Sequence, residues 1–313
     1  MLGKTAGGLF WMFRYLERSE NTARLLEAGF RMALTRSAVG EDEWRSIVSA
    51  AGVRSQFEAH HSGYATRNVI DFLLRDPANP SSVKSSIEAA RVNARMVRIA
   101  LTREVWEATN ESWMTLTKLL ADPIRERDLP AVLGTIRQQS ALVRGALHGT
   151  MLRNDIYDFA RIGTFLERGD STARILDVKY YVLLPSISFV GSSLDNVQWE
   201  TILRSVSAHR SYRWLNGGEI TPKGIANFLI LDRRMPRSLA FCAAKLADNL
   251  GYLEGDYQTR LPCHDLSEHL RDRLRHNTID MIMEDGLHEF VQGYIRDNLA
   301  IGNEIERNYR FTG

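Results

Sequence analysis

The stretch Tyr15 to Glu27, YLERSENTARLLE, returns 150 residues later as Phe165 to Asp177, FLERGDSTARILD. Between Arg14–Glu27 and Thr164–Asp177, seven of fourteen residues are identical, among them Glu17/Glu167, Arg18/Arg168, Thr22/Thr172 and Arg24/Arg174. On a helix of about 100° per residue, Glu20, Asn21, Arg24 and Glu27 fall within about 80° of Glu17. They form one polar stripe, which Glu167, Asp170, Ser171, Arg174 and Asp177 repeat. Arginine forks grip carboxylate or phosphate in a bidentate fashion, and a buried glutamate can act as a base or hold an amine. Such groups suit an amino acid or a peptide. The candidate binding residues are therefore Glu17, Arg18, Glu20, Arg24, Glu167, Arg168, Asp170 and Arg174. The same residues also admit a structural reading. Glu20 to Arg24 and Arg24 to Glu27 are i,i+4 and i,i+3 pairs, and a buried stripe must pair its charges to offset desolvation.

The helices that carry these stripes are apolar on their other side. Trp11, Met12, Tyr15, Leu16, Ala23, Leu26 and Phe30 answer Phe165, Leu166, Ala173, Leu176 and Tyr180, which predicts a central, buried helix pair. Periodicity near 3.6 and abundant Ala, Leu, Arg and Glu predict an all-α chain. Prolines at apparent breaks bound the helices at 5–37, 42–59, 63–76, 80–121, 129–150, 153–184, 195–210, 221–232, 236–254, 264–285 and 287–309. Trp44 answers Trp199, Phe72 answers Phe228, Asp76 answers Asp232 and Pro80 answers Pro236, with an offset that drifts only from 150 to 156. The expectation is a duplicated multi-helix bundle of two halves, 1–150 and 151–313, related by a pseudo-twofold axis. No linker rich in Gly, Ser or Pro separates them, which favours a single domain over 1–313.

Composition excludes several classes. The 313 residues, 44% hydrophobic, suffice for a sizeable core, and 40 basic against 38 acidic residues supply no overall field for nucleic acid or an anionic membrane. The longest apolar run, Tyr180 to Val190, is far short of a span of about 20 residues and contains Pro185. The N-terminal stretch lacks a cleavage pattern. Two cysteines, Cys242 and Cys263, fit a reducing, cytoplasmic setting without a disulfide framework. Glu58-x-x-His61 is a lone metal-like match, so neither metal nor cofactor is expected. His264, His269, His276 and His288 are read as solvent-facing, Cys242 as inert core, and Cys263-His264 as a weak nucleophile pair. Nucleotide-binding and hydrolase motifs are absent.

The opening MLGKTAGGLFWMFRYLERSENTARLLE, the second FLERGDSTARILD, and FLILDRRMPRSLAFC (Phe228 to Cys242) together resemble the alpha-E domain family, whose Glu-Arg motif falls on Glu17-Arg18 and Glu167-Arg168. Gly7-Gly8 departs from the family pattern. The resemblance covers essentially the whole chain and implies an all-helical cytoplasmic protein. Its implied partners are a circularly permuted ATP-grasp ligase and a transglutaminase-like protein, in a system that makes or modifies peptide amide bonds. The preferred expectation is an accessory or scaffolding subunit presenting a peptide or amino-acid substrate at the Glu-Arg stripes. Two alternatives stay open: an enzyme of amide-bond formation or cleavage with Glu17 or Glu167 as base, and a purely structural adaptor. A homo-oligomer is compatible with either.

Overall fold

The computed structural model describes residues 1–34, 41–183, 193–217 and 219–311. Among them are fifteen α-helices and no strand. In chain order the helices are α1 (Gly3–Ala33), α2 (Glu41–Ala50), α3 (Arg54–Glu58), α4 (Thr66–Leu74) and α5 (Val83–Met96). Next come α6 (Arg103–Leu119), α7 (Leu129–Thr150), α8 (Asp155–Leu183), α9 (Ser193–Ser205) and α10 (His209–Leu215). The last are α11 (Pro222–Ile230), α12 (Leu239–Tyr257), α13 (Pro262–His276), α14 (Ile279–Asp285) and α15 (Leu287–Asn308).

Helices α1 and α8, the two that carry the Glu-Arg phrases, pack on each other at the centre. Around α1 lie α5, α7 and α9; around α8 lie α12, α15 and α2. Both central helices are therefore wrapped on several sides. Phe10, Phe13, Ala23 and Leu26 on α1, and Phe165, Leu166, Ala173 and Leu176 on α8, are all buried in one continuous apolar cluster. Burying each of the leucine and phenylalanine side chains contributes about 1.5–3 kcal/mol. The close approach of α1 to α8 depends on Gly163, where a Cβ would lie 2.3 Å from the Phe10 carbonyl oxygen. The helix start at Gly7-Gly8 is continuous with the rest of α1.

Several expected helices divide, each for a local reason. The expected 42–59 segment breaks at Gly52, whose φ of +73° lies in the left-handed region. Likewise, 80–121 ends as α5 and restarts as α6 because the Thr102 hydroxyl accepts the Val105 N–H. Ser207, at φ +58°, separates α9 from α10, and Thr278, capping the Met281 N–H, separates α13 from α14. Residues 35–37 and 184 of the expected helices, with Pro185, lie outside the described residues, as does the side chain of Tyr180.

Two burial expectations are corrected. Tyr15 is only partly buried, its ring beneath the Arg18 guanidinium at 5.4 Å. His264 is not solvent-facing: it is buried, its ring bonded to the Leu261 N–H and the Leu250 carbonyl, because a buried imidazole needs both nitrogens satisfied. Trp44, Trp199, Phe72 and Phe228 are all buried. No helix among the described residues is long and apolar enough to cross a membrane.

Candidate functional site

Where α1 and α8 meet, the two Glu-Arg dipeptides exchange partners. Arg168 donates to Glu17 through Nε and Nη2, both at 2.9 Å. Arg18 donates to Glu167 through Nε at 2.6 Å and Nη2 at 3.0 Å. Each glutamate is thus held by a bidentate fork from the opposite helix, the strongest geometry a carboxylate has for an arginine. Glu17 is 2% exposed and Glu167 6%. Burial alone would raise both pKa values. For Glu17 the guanidinium of Arg168, followed by Arg237 and Arg144, outweighs it and holds the carboxyl far below its ordinary range. For Glu167, Arg18 and Arg14 do the same and bring it to about 2. Both glutamates are therefore fixed anions near neutral pH, and a carboxylate so held is a poor proton acceptor.

Beyond these forks the two copies diverge. Around Glu17, Arg237 donates to Glu20 Oε1 at 2.5 Å and to Asn21 Oδ1 at 3.1 Å, and its Nη1 lies 3.1 Å from Glu17 Oε1. Arg144, from α7, bonds Glu20 and reaches Glu17 Oε2 at 3.4 Å. Arg24 spends Nε and Nη2 on Glu20 and Nη1 on the Ser205 carbonyl at the end of α9. Glu17 itself is enclosed by side chains, while Glu20, Arg24 and Arg144 border an open groove of about 650 Å³ that Ser207 and His209 also line. So many cations are packed together that burial, with the charge of Arg24, lowers Arg237 to about 10.

Around Glu167 the second guanidinium is Arg14, whose Nε donates at 2.9 Å. Asp170 accepts from Arg174 Nε at 2.6 Å, and Arg174 Nη1 reaches the Ala50 carbonyl at the end of α2. This centre borders a cavity of about 310 Å³, in which Arg14, Arg18, Glu167, Asp170 and Arg174 supply the charged wall. Its apolar wall includes Leu25, Val53, Leu73, Ile175, Ile295 and Leu299. A small number of polar groups set in an apolar lining is what fixes a small ligand in one orientation.

All eight predicted residues converge at the α1–α8 contact, divided between these two centres. Sequence reading missed Arg14, Arg144, Arg237 and Asn298. Arg14 falls opposite Thr164 and Arg237 opposite Ser81, so a search for matches between the halves passes over them; the mismatch is the informative signal. The other candidates resolve into packing. Glu58 bonds Arg54 and Tyr64, while His61 stacks on Phe57. Burial pushes the Cys242 and Cys263 thiols up to about 12, which leaves neither activated as a nucleophile. His288 pairs instead with Asp177, the last acid of the second stripe, at 2.6 Å.

Residues 1–309 match the Alpha-E family, described as a predicted alpha-helical domain with a conserved ER motif, and the chain belongs to it. It is similar to an uncharacterised protein of Mycobacterium bovis and to uncharacterised proteins of two strains of Mycobacterium tuberculosis. Each is 24% identical over 308 residues, covering 89% of this chain. The chain spans about a third of the length of these relatives. No solved structure matches.

Proposed function

We propose that this chain is a single domain of two pseudo-twofold related halves, 1–150 and 151–313. In this reading it serves as an accessory, scaffolding subunit of an ATP-grasp-associated system that forms peptide or amide bonds. It binds a peptide or amino-acid substrate at the Glu-Arg helices and works in the cytoplasm beside a circularly permuted ATP-grasp ligase and a transglutaminase-like protein. The reciprocal Glu17–Arg168 and Glu167–Arg18 forks, and the matching surroundings of α1 and α8, support the symmetry. The observation that carries the function is the cavity beside Glu167, where charged groups of both signs meet an apolar wall. A subunit that binds rather than reacts is favoured over the enzyme because both glutamates are ionised and doubly forked, which removes the proposed base. The adaptor reading draws on the centre around Glu17, whose carboxylates are engaged in ion pairs.

The test is co-expression with a circularly permuted ATP-grasp ligase of the same organism, followed by size-exclusion chromatography. Co-elution, with ligase-dependent product falling when the chain is left out, is the expected result. Separate elution and unchanged product would overturn the reading.

A further inference from the structure

The difference between the two Glu-Arg centres can be traced to single positions. Ser82 and Ser238 each cap a helix, α5 and α12, by accepting the N–H three residues on, from Ser85 and Phe241. Immediately ahead of these caps stand Ser81 and Arg237. Arg237 reaches into the Glu17 centre and fills it; Ser81 lines the cavity and leaves the matching place open. The helices α7 and α15 give a second register. Arg137 pairs with Glu27 and His288 with Asp177, the closing acids of the two stripes. Seven residues further along come Arg144, which bonds Glu20, and Ile295, which carries no charge and lines the cavity. Asp170 and Ser171 are also shorter than their counterparts Glu20 and Asn21. Four substitutions thus remove volume or positive charge from one side of one centre.

What remains there is unbalanced in a specific way. Asn298, 4% exposed, lines the cavity; its amide NH₂ is spent on the Leu166 carbonyl at 2.9 Å, and its Oδ1 accepts no hydrogen bond. An orphaned buried acceptor calls for a donor, here one that the Asn298 amide must turn to meet, because its oxygen is covered. Arg237 marks the chemistry of that donor, because in the other centre the matching place holds a cation against two carboxylates and an amide oxygen. Meanwhile the cavity wall carries three guanidiniums, of Arg14, Arg18 and Arg174, against two carboxylates, of Glu167 and Asp170. A cation alone would worsen that excess. A molecule carrying an ammonium and a carboxylate a few ångströms apart would supply the donor without adding to that excess and give the guanidiniums a carboxylate to hold, and the six aliphatic side chains facing them would take a branched hydrocarbon.

We infer that the cavity beside Glu167 is the seat of a free α-amino acid with an aliphatic side chain. Its ammonium lies toward Asp170 and Asn298 in the place that Arg237 occupies in the other centre. Its carboxylate lies toward the arginines. This rests on the reading that the Glu-Arg helices bind an amino acid or peptide, and adds which copy binds, which end goes where, and what side chain fits.

Equilibrium dialysis of the full chain against isotopically labelled L-leucine tests it. One leucine per chain is expected, with 3-methylbutylamine, which lacks the carboxylate, and 4-methylpentanoate, which lacks the ammonium, competing at least about tenfold more weakly. Ser81→Arg should place in this cavity the side chain that closes the other centre and weaken leucine binding by at least about tenfold while the melting temperature is kept. Ile295→Arg provides the same block from α15 if Ser81→Arg does not fold. No leucine retained by the wild-type chain, wild-type affinity in the folded blocked variant, or equal competition by either truncated analogue would overturn the inference. Co-elution with the ligase is read on the same preparations: loss of leucine binding with co-elution intact removes only this inference, and the converse removes only the proposed function.

Discussion

Glu17 and Glu167 stand at the same place in a repeated phrase, and each receives a bidentate guanidinium from the other central helix. The protein nevertheless encloses Glu17, leaving only its neighbours Glu20, Arg24 and Arg144 on a groove, and sets a cavity directly against Glu167. Glu17 and Glu20 are met by Arg24, Arg144, Arg168 and Arg237, so that their oxygens have little left to offer. Glu167 and Asp170 are met by Arg14, Arg18 and Arg174 at the edge of a cavity. A buried ion-pair network holds its geometry when every charge is answered, and has room for a ligand's charges only where one answer is withheld. In this chain the withheld answers are the side chains at 81 and 295, far in sequence from the motif that attracts attention.

The comparison can be broken most forcefully at Glu17. Glu17→Gln would leave Arg168 and Arg237 buried, with half-buried Arg144 beside them, and one carboxylate fewer, and should cost about 3–5 kcal/mol in chemical denaturation. A cost under about 1 kcal/mol would mean that the centre is not locked by charge. Next in size are Leu16→Ala and Leu166→Ala. Both side chains are buried, at 5% and 1% exposure, so each should cost about 2–5 kcal/mol. Because the apolar backing of the two helices is alike, the two losses should resemble each other, and a wide gap would show that the halves differ in packing as well as in charge.

Glu167→Gln should be milder, about 1–3 kcal/mol, because Arg14 and Arg18 border a cavity into which they can turn. The smallest effect is one of pH. Glu167 has its pKa lowered from 4.5 to about 2, so the folded protein binds fewer protons than the unfolded chain in that interval. Its contribution is complete above pH 4.5 and is lost as the pH falls toward 2. Denaturation followed from pH 6 downward should therefore show a shallower acid loss in Glu167→Gln than in the wild type; identical slopes would contradict the pairing.

Much of this was legible in the sequence, for identifiable reasons. The helical periodicity and the repeated phrase locate α1 and α8, and a polar stripe backed by Leu16, Leu26, Leu166 and Leu176 marks them as central. Helix breaks at Thr102, Ser207 and Thr278 were not legible, because a threonine or serine within a helical pattern reads as a tolerated interior residue until the cap bonds of Thr102 and Thr278, or the left-handed backbone at Ser207, are seen. Nor was the division of labour between the centres. It depends on side chains that arrive from α7, α15 and the turn before α12, and a repeat search rewards identity when the meaning lies in the differences Arg237/Ser81 and Arg144/Ile295.

The central claim is that Arg237 closes one centre while Ser81 keeps the other open, and it is tested most directly by exchanging the two residue types. The melting temperatures of Arg237→Ser and Ser81→Arg are compared with that of the wild-type chain. Arg237→Ser should melt well below it, because Asn21 Oδ1 loses its donor and Glu17 and Glu20 each lose a buried guanidinium, whereas Ser81→Arg should melt close to it, because the new guanidinium gains Asp170 and Glu167 while adding to the positive charge already there. Equal destabilisation by both exchanges would contradict the account.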